Sequence, residues 1–197
     1  NSGYQLLKTP DTVSDFAVLS FLPEEYEGNV ISYVLTGSTN DTAKDLAVNG
    51  APEGSIIAAE RQFQGRGRLG HSWTSPAGGI WFSLILRPSL PVSAASRFAL
   101  WAAVVVAETV REETGAPLTI KWPNDLMLAE QKVGGILVEM AAEIGRINYL
   151  VIGIGLNANF KTEVLPADLQ AKTTTLATYL RHKVNRPKLI AALAVRL

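Results

Sequence analysis

The residues best suited to chemistry are two arginines set between glycines, in the segment Gly65-Arg66-Gly67-Arg68-Leu69-Gly70. A guanidinium group offers a rigid fork of N–H donors that matches the oxygens of a carboxylate or a phosphate. Glycine permits positive φ angles and lets the backbone approach a ligand closely. Because a predicted strand precedes the segment at 55–60 and an apolar strand begins near Ile80, we predict a loop that binds an anion.

Other kinds of loop share this glycine spacing. A dinucleotide-binding G-x-G-x-x-G turn needs a helix after its third glycine and an acidic residue about 20 positions later. Here the chain continues with His71-Ser72-Trp73-Thr74-Ser75-Pro76, which starts no helix, and no acid lies at 86–89. A phosphate-binding P-loop needs lysine where His71 stands. A solvated hairpin loop explains the glycines, but not two arginines beside a tryptophan that we expect to be buried.

Composition narrows the class of protein. A chain of 197 residues that is 47% hydrophobic suits one domain with a sizeable core. Its 18 basic and 18 acidic residues cancel, which argues against broad non-specific binding of nucleic acid. The absence of cysteine excludes disulfides, thiolate metal sites and thiol catalysis. The longest apolar run, 98–107, is too short to cross a bilayer, and no signal peptide is visible, so we expect a soluble cytoplasmic protein.

A second polar cluster, Ser38-Thr39-Asn40, follows the predicted strand 30–35 and opens a predicted helix. Ser38 and Asp41 have the spacing of a capping box, which satisfies free N–H groups at a helix start. The cluster therefore has two interpretations, helix capping alone or contact with a ligand at a helix N-terminus.

Lysines and glycines mark the ends of three later predicted strands. Lys121 and Lys132 flank the turn Trp122-Pro123-Asn124-Asp125, and each alone is typical of a solvated strand end. Glycines within strands indicate either bulges or a close approach of backbone or ligand, and here they are Gly134, Gly135, Gly153 and Gly155. Together with the two loop arginines, these residues favour a small apolar ligand whose negative end lies beside a phosphate. The two histidines lack metal-ligand spacing.

The coarse order of elements predicts an α+β fold. Hydrophobic patterning and turn residues indicate about seven strands, in a mixed and mostly antiparallel sheet with helices mainly on one face. Caps and apolar faces predict helices at 14–22, 38–49, 94–114, 167–180 and 187–197. The helix at 94–114 is apolar on most faces, so we expect it to lie in the core.

Several motifs occur in an order that resembles the biotin protein ligase family, the biotin–[acetyl-CoA carboxylase] ligases. The motifs are Gly37-Ser38-Thr39-Asn40, Gln62-x-x-Gly65-Arg66-Gly67-Arg68, Trp73-x-Ser75-Pro76, Lys121-Trp122-Pro123-Asn124-Asp125, Lys132-x-Gly134-Gly135-Ile136-Leu137-Val138-Glu139 and Gly153-Ile154-Gly155-Leu156-Asn157. They cover roughly residues 35–159, so the resemblance is far more specific than the glycine loop alone.

The resemblance implies a fold like that of class II aminoacyl-tRNA synthetases and biotin synthetases, and a reaction in two steps. Biotin's carboxylate attacks the α-phosphate of ATP to give biotinyl-5′-AMP and pyrophosphate, with Mg²⁺ accompanying ATP. A lysine of a biotin carboxyl carrier protein then attacks the mixed anhydride and releases AMP. Two related functions stay open, namely a lipoate ligase-like acyl transferase and a biotin-sensing regulator without turnover.

The same resemblance implies site residues. Those implied for biotin are Ser38, Thr39, Asn40, Gln62, Arg66, Gly67, Arg68, Lys132 and Gly135. Those implied for the nucleotide are Arg66, Arg68, Trp73 and Asn157. Within these sets Lys132 and Arg68 are the expected catalytic residues, and Lys132 is expected to contact the activated acyl oxygen. Trp73 is expected to lie against the adenine ring. Four more residues lie in matching motifs without a clear role: Gly65, Lys121, Asp125 and Gly153.

Two features of this chain depart from that pattern or extend it. His71 stands where many relatives carry arginine, which gives less positive charge at neutral pH. Gly3-Tyr4-Gln5-Leu6 resembles the end of a winged-helix wing in relatives that double as repressors. We therefore expect residues 1–28 to be a linker and short helix after a missing DNA-binding domain, and 29–197 to be the catalytic domain without its C-terminal β-barrel. DNA binding is expected only through the missing part, and an exposed strand edge would permit a homodimer.

Overall fold

The structure is a computed structural model that describes residues 10–143 and 145–197. The predicted extended piece near the start of the chain, including Gly3-Tyr4-Gln5-Leu6, lies outside the described residues. The strands within the described part are β1 (Val30–Tyr33), β2 (Ile56–Ala59), β3 (Ile80–Leu86), β4 (Thr119–Lys121), β5 (Asp125–Leu128), β6 (Gln131–Glu143) and β7 (Arg146–Leu156). The α-helices there are α1 (Asp15–Leu19), α2 (Thr39–Val48), α3 (Ala95–Thr114), α4 (Ala167–Gln170), α5 (Leu176–Leu180) and α6 (Arg186–Arg196).

The strands form one seven-stranded sheet in the order β1-β2-β3-β7-β6-β5-β4. Only the β1–β2 pair is parallel among the paired strands described, and the other neighbours are antiparallel. The long hairpin of β6 and β7 places Gly135 opposite Gly155 and Leu137 opposite Gly153. The predicted mixed, mostly antiparallel α+β sheet is therefore confirmed.

Helices cover the two faces of the sheet unequally. α1, α3 and α6 pack on one face over a continuous apolar core that includes Phe82, Leu84 and Ile152. α2 packs on the opposite face, where Ala43 and Ala47 meet Ile57, Ile85 and Val151. Because both faces are covered, β2 and β3 are buried along their whole lengths, which explains why all of their residues except Ser83 are apolar.

The long helix α3 differs from the prediction at its surface and its start. Its Leu100, Trp101 and Val104 are exposed, whereas one face of the helix, including Ala103 and Val106, is buried in the core. The expectation that α3 lies in the core therefore holds for that face alone. The helix begins at Ala95 instead of residue 94, and a short 3-10 turn at Val92–Ala94 leads into it. None of the helices in the described ranges is long and apolar enough to cross a membrane.

The predicted helix at 167–180 is divided into α4 and α5. Between them Thr173 pairs with Lys132 at the start of β6, and Lys132 exchanges backbone hydrogen bonds with Lys172 and Thr174. Threonine is β-branched and favours extended backbone. Residues 172–174 thus pair with the free edge of β6 instead of continuing the helix. Thr175 then caps α5, because its side chain accepts from the Thr178 amide.

A buried ion cluster ties the start of the described chain to α6. Arg186, only 1% exposed, donates through Nε to Asp11 Oδ1 at 2.7 Å, and its Nη1 lies 2.9 Å from Glu60 Oε1. Burial raises the pKa of Asp11, but hydrogen bonds and charge from Arg186, with smaller effects of Asn159 and Lys183, outweigh it and hold the pKa below 3.8. The sequence analysis did not anticipate this cluster.

Replacing Asp11 by asparagine is expected to weaken the acid dependence of stability. A lowered pKa in the folded chain means that ionised Asp11 stabilises the fold above the unfolded value of 3.8, and that this contribution is lost as pH falls through the folded value. Guanidinium unfolding between about pH 7 and about pH 3 would measure the effect. The Asp11→Asn variant should be less stable than the parent at neutral pH, with the difference shrinking below 3.8. A difference that stays constant through the acid range would contradict this account.

Candidate active site

A cavity of about 290 Å³ opens between the N-terminus of α2, the long β2–β3 loop and the glycine-rich ends of β6 and β7. Its size is near the lower end for small-molecule sites. The predicted site residues that line it are Ser38, Thr39, Asn40, Gln62, Arg66, Gly67, Arg68, Trp73, Asp125, Lys132, Gly135 and Gly153. The fold therefore brings together residues that lie far apart in the sequence.

Three predicted site residues do not line the cavity. Asn157 is buried, and its Nδ2 donates to Thr174 O at 3.2 Å. Lys121 is an exposed residue of the edge strand β4. Gly65 closes the loop, because its carbonyl accepts from the Trp73 amide at 2.8 Å and a Cβ there would collide with Trp73 O. Of the four cations grouped by the sequence analysis, Lys121 is thus outside the cavity.

The polar residues at the start of α2 are held by partners on two other elements. Thr39 N donates to Gln62 Oε1 at 2.7 Å, and the Ser83 hydroxyl lies 2.8 Å from Thr39 Oγ1. The predicted capping box is wrong, since the Ser38 side chain makes no capping hydrogen bond. Ser38 lines the cavity instead. Sequence reasoning missed Ser83, although a single hydroxyl inside the apolar run 80–86 was a signal of a buried polar contact.

Both polar atoms of the Asn40 side-chain amide form hydrogen bonds within the protein. Its Oδ1 accepts from Ser83 Oγ at 2.6 Å, and its Nδ2 donates to Glu139 Oε2 at 2.9 Å. The amide lies directly on Gly153, where a Cβ would collide with Asn40 Oδ1. These contacts fix the orientation of the amide and place the Asn40 side chain on the glycine backbone of β7.

Carboxylates neutralise one of the two loop arginines. Arg66 forms salt bridges with Asp41 and with Glu139, and Lys44 bridges the same two carboxylates. Burial lowers the pKa of Lys44, but hydrogen bonds and charge from Asp41 and Glu139 outweigh it and raise the pKa above 10.5. Asp41, Lys44 and Glu139 were missing from the predicted site, although Glu139 ends a motif that the sequence analysis identified.

The other cations of the cavity have different partners. Lys132 Nζ lies 2.7 Å from Asp125 Oδ1 and 5.2 Å from the centre of the Trp73 ring. Arg68 Nη1 lies 3.3 Å from Asn124 Oδ1. Over the described ranges, no carboxylate lies within salt-bridge distance of Arg68. Arg68 is therefore the cavity cation whose charge is most available to an incoming anion.

Trp73 lies flat against the glycines of the two central strands. A Cβ at Gly135 would be 3.3 Å from the ring, and one at Gly155 would be 2.7 Å from Trp73 Nε1. The ring meets Trp81 edge-on at 6.4 Å between centroids. Trp73 Nε1 is buried, and no acceptor reaches it within the described part of the chain. The site thus combines an apolar surface with one unsatisfied N–H donor.

The acidic and histidine side chains of the described residues do not gather into a group of three or more that would hold a metal ion. Asp125 is the carboxylate that lines the cavity. A single carboxylate is the typical protein ligand of Mg²⁺ that arrives on substrate phosphates. The donor set thus suits a metal bound mainly through a nucleotide.

The cavity thus combines cationic side chains with an apolar surface of strand glycines and Trp73. Residues 32–157 match the model of the Biotin/lipoate A/B protein ligase family. Because this match covers more than half of the chain, the chain belongs to that family.

Individual relatives give the same result. The chain is 39% identical over 190 residues to the bifunctional ligase/repressor BirA of Bacillus subtilis (strain 168), covering 95% of this chain and 58% of that protein. It is 39% identical over 124 residues to the biotin–[acetyl-CoA-carboxylase] ligase of Paracoccus denitrificans, covering 62% and 51% of the two chains. Biotin protein ligase from Aquifex aeolicus, solved with biotin and ATP, matches with a TM-score of 0.72 and 30% identity, covering 85% of this chain and 68% of that chain. The chain thus spans little more than half the length of these two curated relatives.

Replacing Gly153 by alanine is expected to destabilise the fold more than replacing Gly135. The new Cβ at Gly153 collides with an Asn40 amide that Ser83 and Glu139 hold in place, and overpacking of this kind costs about 1–3 kcal/mol. Gly135→Ala is the matched control, since Trp73 needs to shift only a few tenths of an ångström. Guanidinium unfolding of both variants measures the difference, and equal stabilities would show that Asn40 can move aside.

Proposed function

We propose that this chain activates biotin with ATP to form biotinyl-5′-AMP and pyrophosphate, and then transfers biotin to a lysine of a biotin carboxyl carrier protein. One observation carries the proposal. A single cavity joins an apolar floor of strand glycines and Trp73 to two cations, Arg68 and Lys132. The Aquifex aeolicus relative with biotin and ATP, and the Paracoccus denitrificans carboxylase ligase, support the substrates and the carrier.

The chemistry requires two anions to meet before charge builds on the phosphoryl oxygens. Arg68 and Lys132 act as fixed cations that lower the repulsion and stabilise the developing charge. Arg66 is held by two carboxylates, so its role is to order the loop and to complete the anion site when ligand displaces part of this network. The occupied amides of Asn40 and Gln62 shape the biotin pocket, while Ser38 offers its hydroxyl to the ligand.

Trp73 and the strand glycines supply the apolar part of the site. Its ring covers the backbone of Gly135 and Gly155, and its unpaired Nε1–H gives a ligand acceptor a buried partner. Mg²⁺ would accompany ATP, held by phosphate oxygens with Asp125 as the protein carboxylate, and would supply neutralisation of phosphate charge.

The proposal extends to organisation and partners. Residues 29–197 form the catalytic domain, and residues 1–28 form a linker that contains the short helix α1. Within the described residues, β5 pairs with β6 from Gln131 to Gly135, and Asn124 bonds both backbone groups of Ile136. The later part of β6 therefore offers a strand edge to a second copy of the chain. A homodimer through this edge would extend the sheet.

ATP–pyrophosphate exchange tests the adenylation step. With Mg²⁺, labelled pyrophosphate should enter ATP when biotin is added, because only a bound acid makes the reverse reaction available. Lipoate is the control substrate and is expected to give no exchange. Biotin binding without exchange would favour a sensor without turnover, and exchange with lipoate alone would favour a lipoate ligase-like enzyme.

Removing either available cation should abolish most adenylation without unfolding the chain. Arg68→Ala and Lys132→Ala each remove a charge that faces the developing phosphoryl charge, which we expect to lower the biotin-dependent exchange rate by about 100-fold or more. Lys121→Ala is the matched control, because this lysine lies outside the cavity. Circular dichroism confirms folding, and normal adenylate yield in either cavity variant would refute its assignment.

A further inference from the structure

The buried Arg186 lies outside the cavity, yet it holds both ends of the loop that carries the site. The chain between β2 and β3 leaves the sheet at Glu60 and returns at Gly79. Arg186 Nη1 lies 2.9 Å from Glu60 Oε1 and donates to Gly79 O at 2.8 Å. One guanidinium nitrogen therefore joins the two ends of this connection, which we call the ligand loop (residues 60–79).

Glu60 and Asp11 complete the attachment. Glu60 Oε1 also accepts from Gly78 N, and Glu60 Oε2 accepts from Val13 N, both at 3.1 Å. On the other side, Arg186 donates through Nε to Asp11 Oδ1 and through Nη2 to Asp11 O at 2.6 Å. The segment at 11–13 is thereby bound to the same cluster as the two ends of the ligand loop.

A ladder within the ligand loop connects these ends to the site. Gln62 pairs with Ser75, and Arg66 pairs with Ser72, as antiparallel bridges. Trp73 N donates to Gly65 O between them. The loop is thus a narrow two-stranded extension whose bridges connect its attached ends to Arg66, with Arg68 in the turn beyond the last bridge.

Filling the space that Arg186 occupies would not by itself require a charged side chain. A buried ion pair is often no more stabilising than apolar residues of the same volume, because desolvation offsets its attraction. What arginine adds is a rigid set of five N–H donors in fixed directions. Here those donors meet the ends of the ligand loop and the segment at 11–13.

We propose that Arg186, Glu60 and Asp11 form a positioning cluster that sets the ligand loop in the geometry needed for biotin activation. None of the three lines the cavity, so they act through Gln62, Arg68 and Trp73. The effect on catalysis rests on the proposed function, whereas the effect on loop order does not. The cluster thus adds to the site three residues that the motifs do not include.

Asp11→Ala is the test variant, because the Asp11 side chain is partly exposed and its loss leaves no void in the core. The change removes the contacts of the carboxylate with Arg186 Nε, Asn159 Nδ2 and Lys183 Nζ, and it keeps the bond from Arg186 Nη2 to the backbone oxygen of residue 11. Lys183→Ala is the matched control, since it removes only an exposed partner of Asp11 at 3.4 Å. Asp11→Asn keeps an oxygen acceptor for Arg186 and serves as the conservative variant. The amides of Gln62 and Trp73 report on the loop by hydrogen exchange, and those of β7 report on the sheet.

In Asp11→Ala we expect the loop amides to exchange at least about tenfold faster while the β7 amides keep their rates. The KM for biotin in pyrophosphate exchange should rise by about tenfold or more, with a smaller change in kcat. Asp11→Asn should recover most of both losses, and Lys183→Ala should behave like the parent.

Equal acceleration in the loop and in β7 would show a general loss of stability and overturn the proposal. Unchanged loop exchange with unchanged KM would overturn it as well. If the parent chain shows no biotin-dependent exchange, the proposed function fails, and the hydrogen-exchange comparison alone decides whether the cluster orders the loop.

Discussion

The site depends on the absence of side chains at two positions of the central strand β7. The Asn40 amide occupies the space above Gly153, and the Trp73 indole occupies the space above Gly155. A Cβ at either position would push apart α2 or the ligand loop, so both could not lie on the sheet together. Because β7 is paired on both sides, with β3 and β6, hydrogen bonds hold the backbone of this floor along both of its edges. The two glycines thus let the Asn40 amide and the Trp73 indole lie directly on the backbone of the sheet.

Charge in the cavity is arranged in pairs before any ligand is present. Arg66 and Lys44 share Asp41 and Glu139, and Lys132 faces Asp125. Such pairing keeps long cationic side chains ordered and limits their mutual repulsion, which is useful where two anionic substrates must meet. It also means that an anion gains less from Arg66 than from Arg68. The formal net charge of the whole chain is zero, and positive and negative side chains are also nearly equal in number around the cavity.

The fold was predictable where local patterning and burial agree. The run 80–86 is apolar except for Ser83 and forms the fully buried β3. The helix α3 ends at Thr114, as predicted, and Gly115 follows it with a φ of 78°. Prediction failed where a distant partner overrode local preference. Thr173 joins the edge of β6 instead of continuing a helix. The Ser38 side chain lines the cavity and makes no capping hydrogen bond, so the predicted capping box does not form. Helical periodicity in α3 also could not reveal that Leu100 and Trp101 would be exposed.

The sequence by itself determined the residue types of the site, since the ordered motifs placed Arg66, Arg68, Trp73 and Lys132 in one family pattern. Only the tertiary structure decided which charges are neutralised, which amides are occupied and which residues hold the loop. Those answers depend on contacts between residues far apart in the chain: 43 residues separate Asn40 from Ser83, 73 separate Arg66 from Glu139, and 175 separate Asp11 from Arg186. Motif spacing reports local geometry, whereas such pairs are fixed by strand register and helix packing across the whole domain.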